Sequence, residues 1–243
     1  MGQNILVTGG STGIGAATCK ELAAGNTILI HYNSSKRPAE EVATAVENAG
    51  GTAHLFQADL TSEAGCQALA DAVSEKVDRL DVLINNAGGL EQRQQVWEIE
   101  WDMMEHIFAL NTFSTMKMTS LMVPLLRASD RANIINMASV AMHTGSPTAT
   151  PYAASKAAVH TFTIGAAKAL APDIRVNAVA PGVILTPFHE KFTPAEQLEK
   201  FRQATPVGEF VGPEEIAHTI RYILDSRFLT GATLDVNGGM VMR

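Results

Sequence analysis

Tyr152 and Lys156 stand four residues apart in Pro151-Tyr152-Ala153-Ala154-Ser155-Lys156-Ala157-Ala158. The alanines favour helix and Pro151 suits a first helical turn, so the spacing puts a phenol and an ammonium on one face. A free phenol titrates at about 10 and shuttles protons poorly at neutrality; an ammonium beside it favours the phenolate and lowers that value. Ser139, just past the apolar run Ile134-Ile135-Asn136-Met137-Ala138, could donate a hydrogen bond to the same reacting oxygen. Taken alone, such a Tyr/Lys pair is ordinarily a solvated helix face and such a serine a cap. A second candidate is Thr8-Gly9-Gly10-Ser11-Thr12-Gly13-Ile14-Gly15, which leads into the helical Ala16-Ala17-Thr18-Cys19. Glycines permit a sharp turn there and let a phosphate approach the backbone, where the free N–H groups of a helix start meet the anion. The spacing is not the general G-x-G-x-x-G fingerprint, and a lone glycine-rich turn is weak evidence.

The elements that must hold these residues alternate along the chain. Val- and Ile-rich runs at 4–8, 27–32, 52–58, 81–85, 133–138, 175–180 and 233–236 are separated by segments with apolar residues at helical spacing, at 39–49, 63–77, 101–126, 153–170 and 213–224. That is the pattern of βαβ crossovers. Several runs are apolar at consecutive positions, as strands covered on both faces require. Length alone allows one large domain or two small ones in 243 residues. No Pro/Gly/Ser linker or repeat interrupts the alternation, so the expectation is an α/β fold: a single doubly wound Rossmann-type domain over 1–243, with a seven-stranded parallel sheet and helices on both faces. Two longer loops, 88–100 and 187–212, leave the carboxyl ends of strands and are expected to form substrate walls and a lid.

Composition excludes several classes. The net charge is −7 and no basic run exceeds Lys36-Arg37, which argues against nucleic acid as a partner. Cys19 and Cys66 are too few for a disulfide framework or a four-ligand zinc site and are expected as buried free thiols of a reducing compartment. No window approaches the roughly 18 apolar residues of a membrane span and the strand-like 4–8 follows Met1 directly, so a soluble, cytoplasmic protein is expected. The seven histidines form no His-x-x-x-His pair on an expected helix, and no metal site is expected. Met142 and His143, lying between Ser139 and Tyr152, could line a pocket.

Thr8-Gly9-x-x-x-Gly13-x-Gly15, Asn85-Asn86-Ala87-Gly88, Ser139, Tyr152-x-x-x-Lys156 and Pro181-Gly182 occur in that order. The set resembles the short-chain dehydrogenase/reductase family, over nearly the whole chain. The resemblance implies an NAD(P)-dependent oxidoreductase that interconverts a ketone or aldehyde and an alcohol by hydride transfer. Tyr152 would be acid for reduction and base for oxidation, Ser139 would bond the substrate oxygen, Lys156 would also reach the nicotinamide ribose, and Asn111 would hold a water linking Lys156 to solvent. For the cofactor it implies contacts from Thr8, Gly9, Ser11, Thr12, Gly13, Ile14 and Gly15. Asp59, with Leu60, would meet the adenine; Asn85 to Gly88, including Asn86 and Ala87, would support the ribose region; Pro181, Gly182, Val183 and Thr186 would run beside the nicotinamide. Asp59-Leu60-Thr61-Ser62 reads equally as a helix cap.

Tyr32 stands where NAD-specific relatives place an acid, and Asn33, Ser34, Ser35, Lys36 and Arg37 after it suit a 2′-phosphate. Against this, Thr12 stands where many NADP-dependent relatives carry a base. NADP(H) is favoured and NAD(H) stays open. The pattern is similar to the 3-oxoacyl-carrier-protein reductases, but the Arg that these often place near the end of the catalytic helix is missing from Ala169-Leu170-Ala171-Pro172-Asp173, and the acidic balance would repel an acidic carrier. A free small carbonyl or alcohol substrate is favoured. The resemblance further implies a homotetramer or homodimer built on the helices of 101–126 and of Tyr152. A sensor that binds cofactor without turnover is the alternative from another class, and retention of both Tyr152 and Lys156 weighs against it.

Overall fold

In β1 (Asn4–Val7), Ile5 and Val7 project to one side and Leu6 to the other; in β4 (Val82–Asn85), Val82 and Ile84 oppose Leu83. Consecutive apolar residues thus serve two different cores, one on each face of a sheet. The computed structural model describes residues 2–186 and 193–242. Its sheet has seven strands in the order β3-β2-β1-β4-β5-β6-β7, all parallel, the others being β2 (Thr27–Tyr32), β3 (Thr52–Gln57), β5 (Ala132–Met137), β6 (Ile174–Pro181) and β7 (Thr233–Val236). The expected strands are therefore all present, within a residue or so at their ends.

One face is covered by α1 (Gly13–Glu21), α2 (Lys36–Asn48) and α9 (Glu214–Asp225), which bury Cys19, Leu22, Val42, Val46, Ile216 and Ile220 against the sheet. The other is covered by α3 (Glu63–Lys76), α5 (Ser114–Arg127) and α7 (Thr150–Leu170), through Leu69, Val73, Met118, Met122, Leu126 and Ala166. Each fully buried side chain of this size is worth about 1.5–3 kcal/mol. Both cysteines are buried free thiols, and burial pushes the Cys19 thiol far up from its ordinary value. The chain leaves β1 toward β2 on one side and returns to β4 on the other, so the carboxyl ends of β1 and β4 diverge. A crevice opens at that reversal.

Two segments differ from expectation. Residues 101–126 are not one helix: α4 (Trp101–Phe108) passes into α5 through a π-helical turn, Ala109–Phe113. Hydroxyls occupy carbonyls around this distortion, with Ser114 Oγ donating to Leu110 O (2.5 Å), Thr115 Oγ1 to Asn111 O (2.9 Å) and Thr112 Oγ1 to Ser155 O on α7 (3.0 Å). Such turns re-aim side chains at sites, and this one carries Asn111. Of the expected lid, 187–192 lie outside the described residues; beyond them α8 (Ala195–Ala204) buries none of its residues, and Ile184 bridges to Val211. A short α6 (Ala141–Thr144) follows β5.

Candidate active site

A cleft of about 380 Å³ lies at the carboxyl ends of the strands. Gly9 and residues 11–14 line it, with residues 33–35, Asp59, Leu60, residues 86–88, Ser139, Tyr152, Lys156, Pro181, Gly182 and Thr186. Sequence motifs scattered over nearly 180 positions thus meet at the reversal of strand order. Thr8, Gly15, Tyr32 and Asn111 stand behind the cleft surface, and Val183 leaves its place to Ile184.

The glycine turn is braced from beneath. Asn86 Nδ2 donates to Thr8 O (2.9 Å) and Gly9 O (3.0 Å), while Thr8 Oγ1 accepts from the N–H groups of Asn86 and Ala87, each at 3.0 Å. A Cβ on Gly15 would lie 2.2 Å from Gly9 O, and one on Gly9, whose φ is +62°, would lie 3.0 Å from Ala87 Cα. Neither position tolerates a side chain. Thr12 precedes α1 without a side-chain cap, and the first helical bond is from Ala16 N–H to Thr12 O. The N–H groups of the first turn therefore have no intrahelical acceptor, and a phosphate lying in the cleft fits them.

Alternation along β2 decides which residues reach the cleft. His31 and Asn33 face it, and Tyr32 turns inward with 6% exposure, which removes it from cofactor contact and corrects the expectation for that residue. His31 was not foreseen from the sequence. Its Nδ1 accepts from Gly9 N–H (3.0 Å) and its Nε2 donates to Ala58 O (3.0 Å), a strut between the glycine turn and the end of β3. Burial lowers its pKa, against the opposing pull of the Ala58 carbonyl and Asp59. Asp59 Oδ1 accepts from Thr61 N–H (3.0 Å) and Thr61 Oγ1 (2.7 Å), bonds that hold its carboxyl below the usual range; Ser62 Oγ caps α3 at Gly65 N–H (3.1 Å). Cap and cleft roles coexist here, on neighbouring residues. Asn85 does not support the ribose region: its side chain points into the interior, donating to Thr119 Oγ1 (3.1 Å) and Asn136 Oδ1 (2.9 Å).

Pro151 sits in the first turn of α7, which presents Tyr152 and Lys156 on one face. Lys156 is 4% exposed, and burial pulls its pKa down to about 8. Its Nζ donates to Met137 O (2.8 Å) and lies 5.9 Å from the centre of the Tyr152 ring. A Cβ on Gly88 would come within 3.0 Å of that Nζ and 2.7 Å of Asn111 Oδ1, so glycine leaves room for both groups where the chain leaves β4. The Asn111 side chain holds Gly89 at both backbone atoms, accepting from its N–H and donating to its carbonyl, both at 2.9 Å. A buried Asn used this way fixes the loop. The Tyr152 pKa is not lowered as expected. Enclosure of the hydroxyl raises it, opposed by a hydrogen bond from Ser139 and by the charge of Arg93. Ser139 Oγ also accepts from Ala141 N–H (3.2 Å), which orients it.

Arg93 is the second residue that sequence reasoning missed, since nothing in Gln92-Arg93-Gln94 signals a site. Its Nη1 and Nη2 donate to Thr148 Oγ1 (3.4 Å) and Thr193 Oγ1 (3.2 Å). His143 bonds Asp235 (3.2 Å) and does not line the cleft; Met142 packs on Ala138, Ala178 and Ala180. Among the described residues no His/Cys/Asp/Glu cluster could hold a metal, and no helix is long and apolar enough to cross a membrane.

A family model described as short chain dehydrogenase matches residues 3–197. The 3-oxoacyl-[acyl-carrier-protein] reductase of Synechocystis sp. is 35% identical over 245 residues, covering 99% of this chain and 97% of that protein. Among solved structures, NADH-dependent reductase A1-R′ complexed with NAD superposes with a TM-score of 0.88 at 34% identity, covering 100% of this chain and 98% of its own. Pseudomonas aeruginosa RhlG in an active-site complex with NADP gives 0.91 at 32%, covering 98% and 96%.

The His31 strut predicts an acid-side loss of stability. Its folded pKa lies below the unfolded value of about 6.5, so between the two the unfolded chain binds more protons and stability rises with pH. The contribution is full above about pH 6.5 and is lost as pH falls through that window, where a proton on Nδ1 would face the Gly9 N–H. His31→Leu should cost about 1–2 kcal/mol at neutral pH, and the gap in melting temperature between variant and wild type should narrow toward pH 5. A gap that stays constant with pH would remove His31 from this role.

Proposed function

The chain belongs to the short-chain dehydrogenase family of NAD(P)-dependent oxidoreductases, and from that premise we propose that it reduces a small carbonyl compound with Tyr152 as proton donor. The observation that carries this reading is the enclosed pair of hydroxyls, Tyr152 and Ser139, hydrogen-bonded to one another at the end of a cleft whose far end is a braced glycine turn. The bound nicotinamide would supply the hydride. The rest of the chemistry falls to side chains. Charge that develops on the substrate oxygen needs a proton and a hydrogen-bond donor, and the two hydroxyls offer one each. Enclosure raises the Tyr152 pKa, which keeps the phenol protonated near neutrality and suits donation in the reductive direction. Lys156, with a pKa of about 8, remains largely cationic at neutral pH and can favour the phenolate once the proton has left. Asn111 is a positioning residue: through Gly89 it holds the β4 loop against the lysine.

The reading includes the cofactor contacts of the glycine turn, of Asp59 and Leu60, of 86–88 and of Pro181, Gly182 and Thr186. It includes NADP(H) over NAD(H), because Asn33, Ser34 and Ser35 line the end of the cleft beyond β2 and Lys36 and Arg37 follow at once in α2. A carrier-protein substrate is disfavoured by the net charge of −7 and by the missing Arg after Ala171. A cytoplasmic homotetramer or homodimer completes the reading. Trp101 and Phe113, 68% and 57% exposed on α4 and the π turn, support it, because large apolar groups left exposed are often covered in an assembly.

Replacing Tyr152 by Phe should leave fold and cofactor affinity intact and lower turnover of ketones by about 10²–10⁴-fold; near-wild-type rates would dismiss the assignment. Fluorescence titration should show tighter binding of NADPH than of NADH, the reverse order rejecting the NADP(H) preference. Light scattering should return two or four times the 25.9 kDa chain mass, a monomer being the contrary result.

A further inference from the structure

Four buried polar side chains sit in the layer that otherwise packs Leu83, Ile134, Met118 and Met122, at the strand ends nearest the cleft. Asn85 on β4 and Asn136 on β5 are cross-strand partners and follow Leu83 and Ile134 on the same face. Asn85 Nδ2 donates to Asn136 Oδ1 (2.9 Å) and to Thr119 Oγ1 on α5 (3.1 Å). Asn136 Nδ2 donates to Thr163 Oγ1 on α7 (3.0 Å), and that hydroxyl donates in turn to Val159 O (2.8 Å). Thr163 lies two helical turns beyond Lys156, and Asn136 is the residue before Met137, whose carbonyl accepts from Lys156 Nζ (2.8 Å). Asn85 stands just ahead of Gly88, where a Cβ would come within 3.0 Å of the same Nζ. The elements that meet at the ammonium are therefore β4, β5 and α7. The Asn136 amide joins all three: it belongs to β5, holds β4 through Asn85 and holds α7 through Thr163.

Apolar side chains of the same shape would fill these places without the cost of burying amides, and Asn85 Oδ1, buried with no hydrogen-bond partner among the described residues, leaves part of that cost unmet. What a polar network supplies instead is a single arrangement, since a slip of either strand or of the helix would leave its donors without acceptors. We propose that Asn136 is a positioning residue for Lys156: its side chain fixes the height of α7 over β5 and thereby keeps Nζ on the Met137 carbonyl. The proposal rests on the reductase reading above only for its effect on turnover, because the placement of the ammonium is a property of the fold. The titratable group that faces Nζ is the Tyr152 phenol on the same helix, its ring centre 5.9 Å away. From β4, β5 and the π turn the ammonium meets Gly88, the Met137 carbonyl and Asn111, none of which titrates. The bond to Met137 O favours the charged form against burial.

The test follows the ε-carbon of Lys156 by NMR as pH is raised, in protein labelled with carbon-13 at lysine, the signal being assigned by its loss in Lys156→Met. In wild-type protein the midpoint should lie at about 8. Thr163→Val keeps the shape of the side chain and removes the acceptor of the Asn136 amide; it should lower the midpoint enough to cut the ammonium fraction at pH 8 about 2- to 5-fold. Asn136→Ala, which removes the amide itself, should do the same and decides the matter if Thr163→Val does not fold. Thr163→Ser, which keeps the hydroxyl, should return the midpoint to its wild-type value. Thr119→Val, which breaks the network on α5 and not on α7, should reduce the melting temperature and leave the midpoint in place. With a ketone and NADPH, kcat of Thr163→Val should fall by the same factor at pH 8 and by much less at pH 6, where both proteins hold the ammonium charged. An unchanged midpoint in Thr163→Val, or an equal fall in Thr119→Val, would overturn the proposal, and a kcat that does not follow a lowered midpoint would overturn its bearing on turnover. Absence of turnover in wild-type protein would overturn the reductase reading, while the titration would still decide whether Asn136 places the lysine.

Discussion

The site depends on how closely three backbone segments approach at the reversal of strand order. Gly9, Gly15 and Ala87 leave no room for a single methyl group between them, and the side chain of Asn86 threads this contact to bond two carbonyls of the glycine turn. β1 and β4 diverge here, so backbone groups at their ends lose their ladder partners and need others. Asn86 and Thr8 supply them. The first turn of α1 is then held with its N–H groups facing outward, and the motif at 85–88 works as a brace for the motif at 8–15 as much as a surface for a ligand. His31 repeats the device on the opposite flank.

A second constraint follows a few ångströms away, where an ammonium is kept in the interior. An isolated buried charge is expensive, and the fall of the Lys156 pKa to about 8 expresses that cost. What offsets it is the Met137 carbonyl at 2.8 Å, beside a wall at Gly88 where a Cβ would crowd both the ammonium and Asn111. Asn111 is delivered by a π turn in the middle of a long helical stretch. A regular α-helix from 101 to 126 would carry the residue at a different rotation, so the distortion, the asparagine, the glycine and the lysine belong to one arrangement.

The alternation of apolar runs and helical segments made the seven strands, the single parallel sheet and its double cover legible in sequence, because those features follow from local period and from burial on both faces. The meeting of Gly9, Ser139, Tyr152 and Lys156 was legible because each belongs to a motif at a strand end or first helical turn. Three things were not. The π turn is set by the hydroxyls of Thr112, Ser114 and Thr115 and by Gly89 from another loop, none of which breaks the apolar pattern of 101–126. The inward turn of Tyr32 and the outward turn of His31 are one register choice, invisible where both residues suit a strand. Arg93 is held by Thr148 and Thr193, 55 and 100 residues away.

Tyr152 stands between opposing influences, and their balance bears on the direction of the chemistry. Enclosure in low dielectric raises its pKa; the Ser139 hydroxyl and the Arg93 charge lower it, and enclosure is the larger effect. The phenol is thereby held in its protonated form near neutrality, which suits donation to an oxygen that gains charge and disfavours the base that oxidation of an alcohol would need.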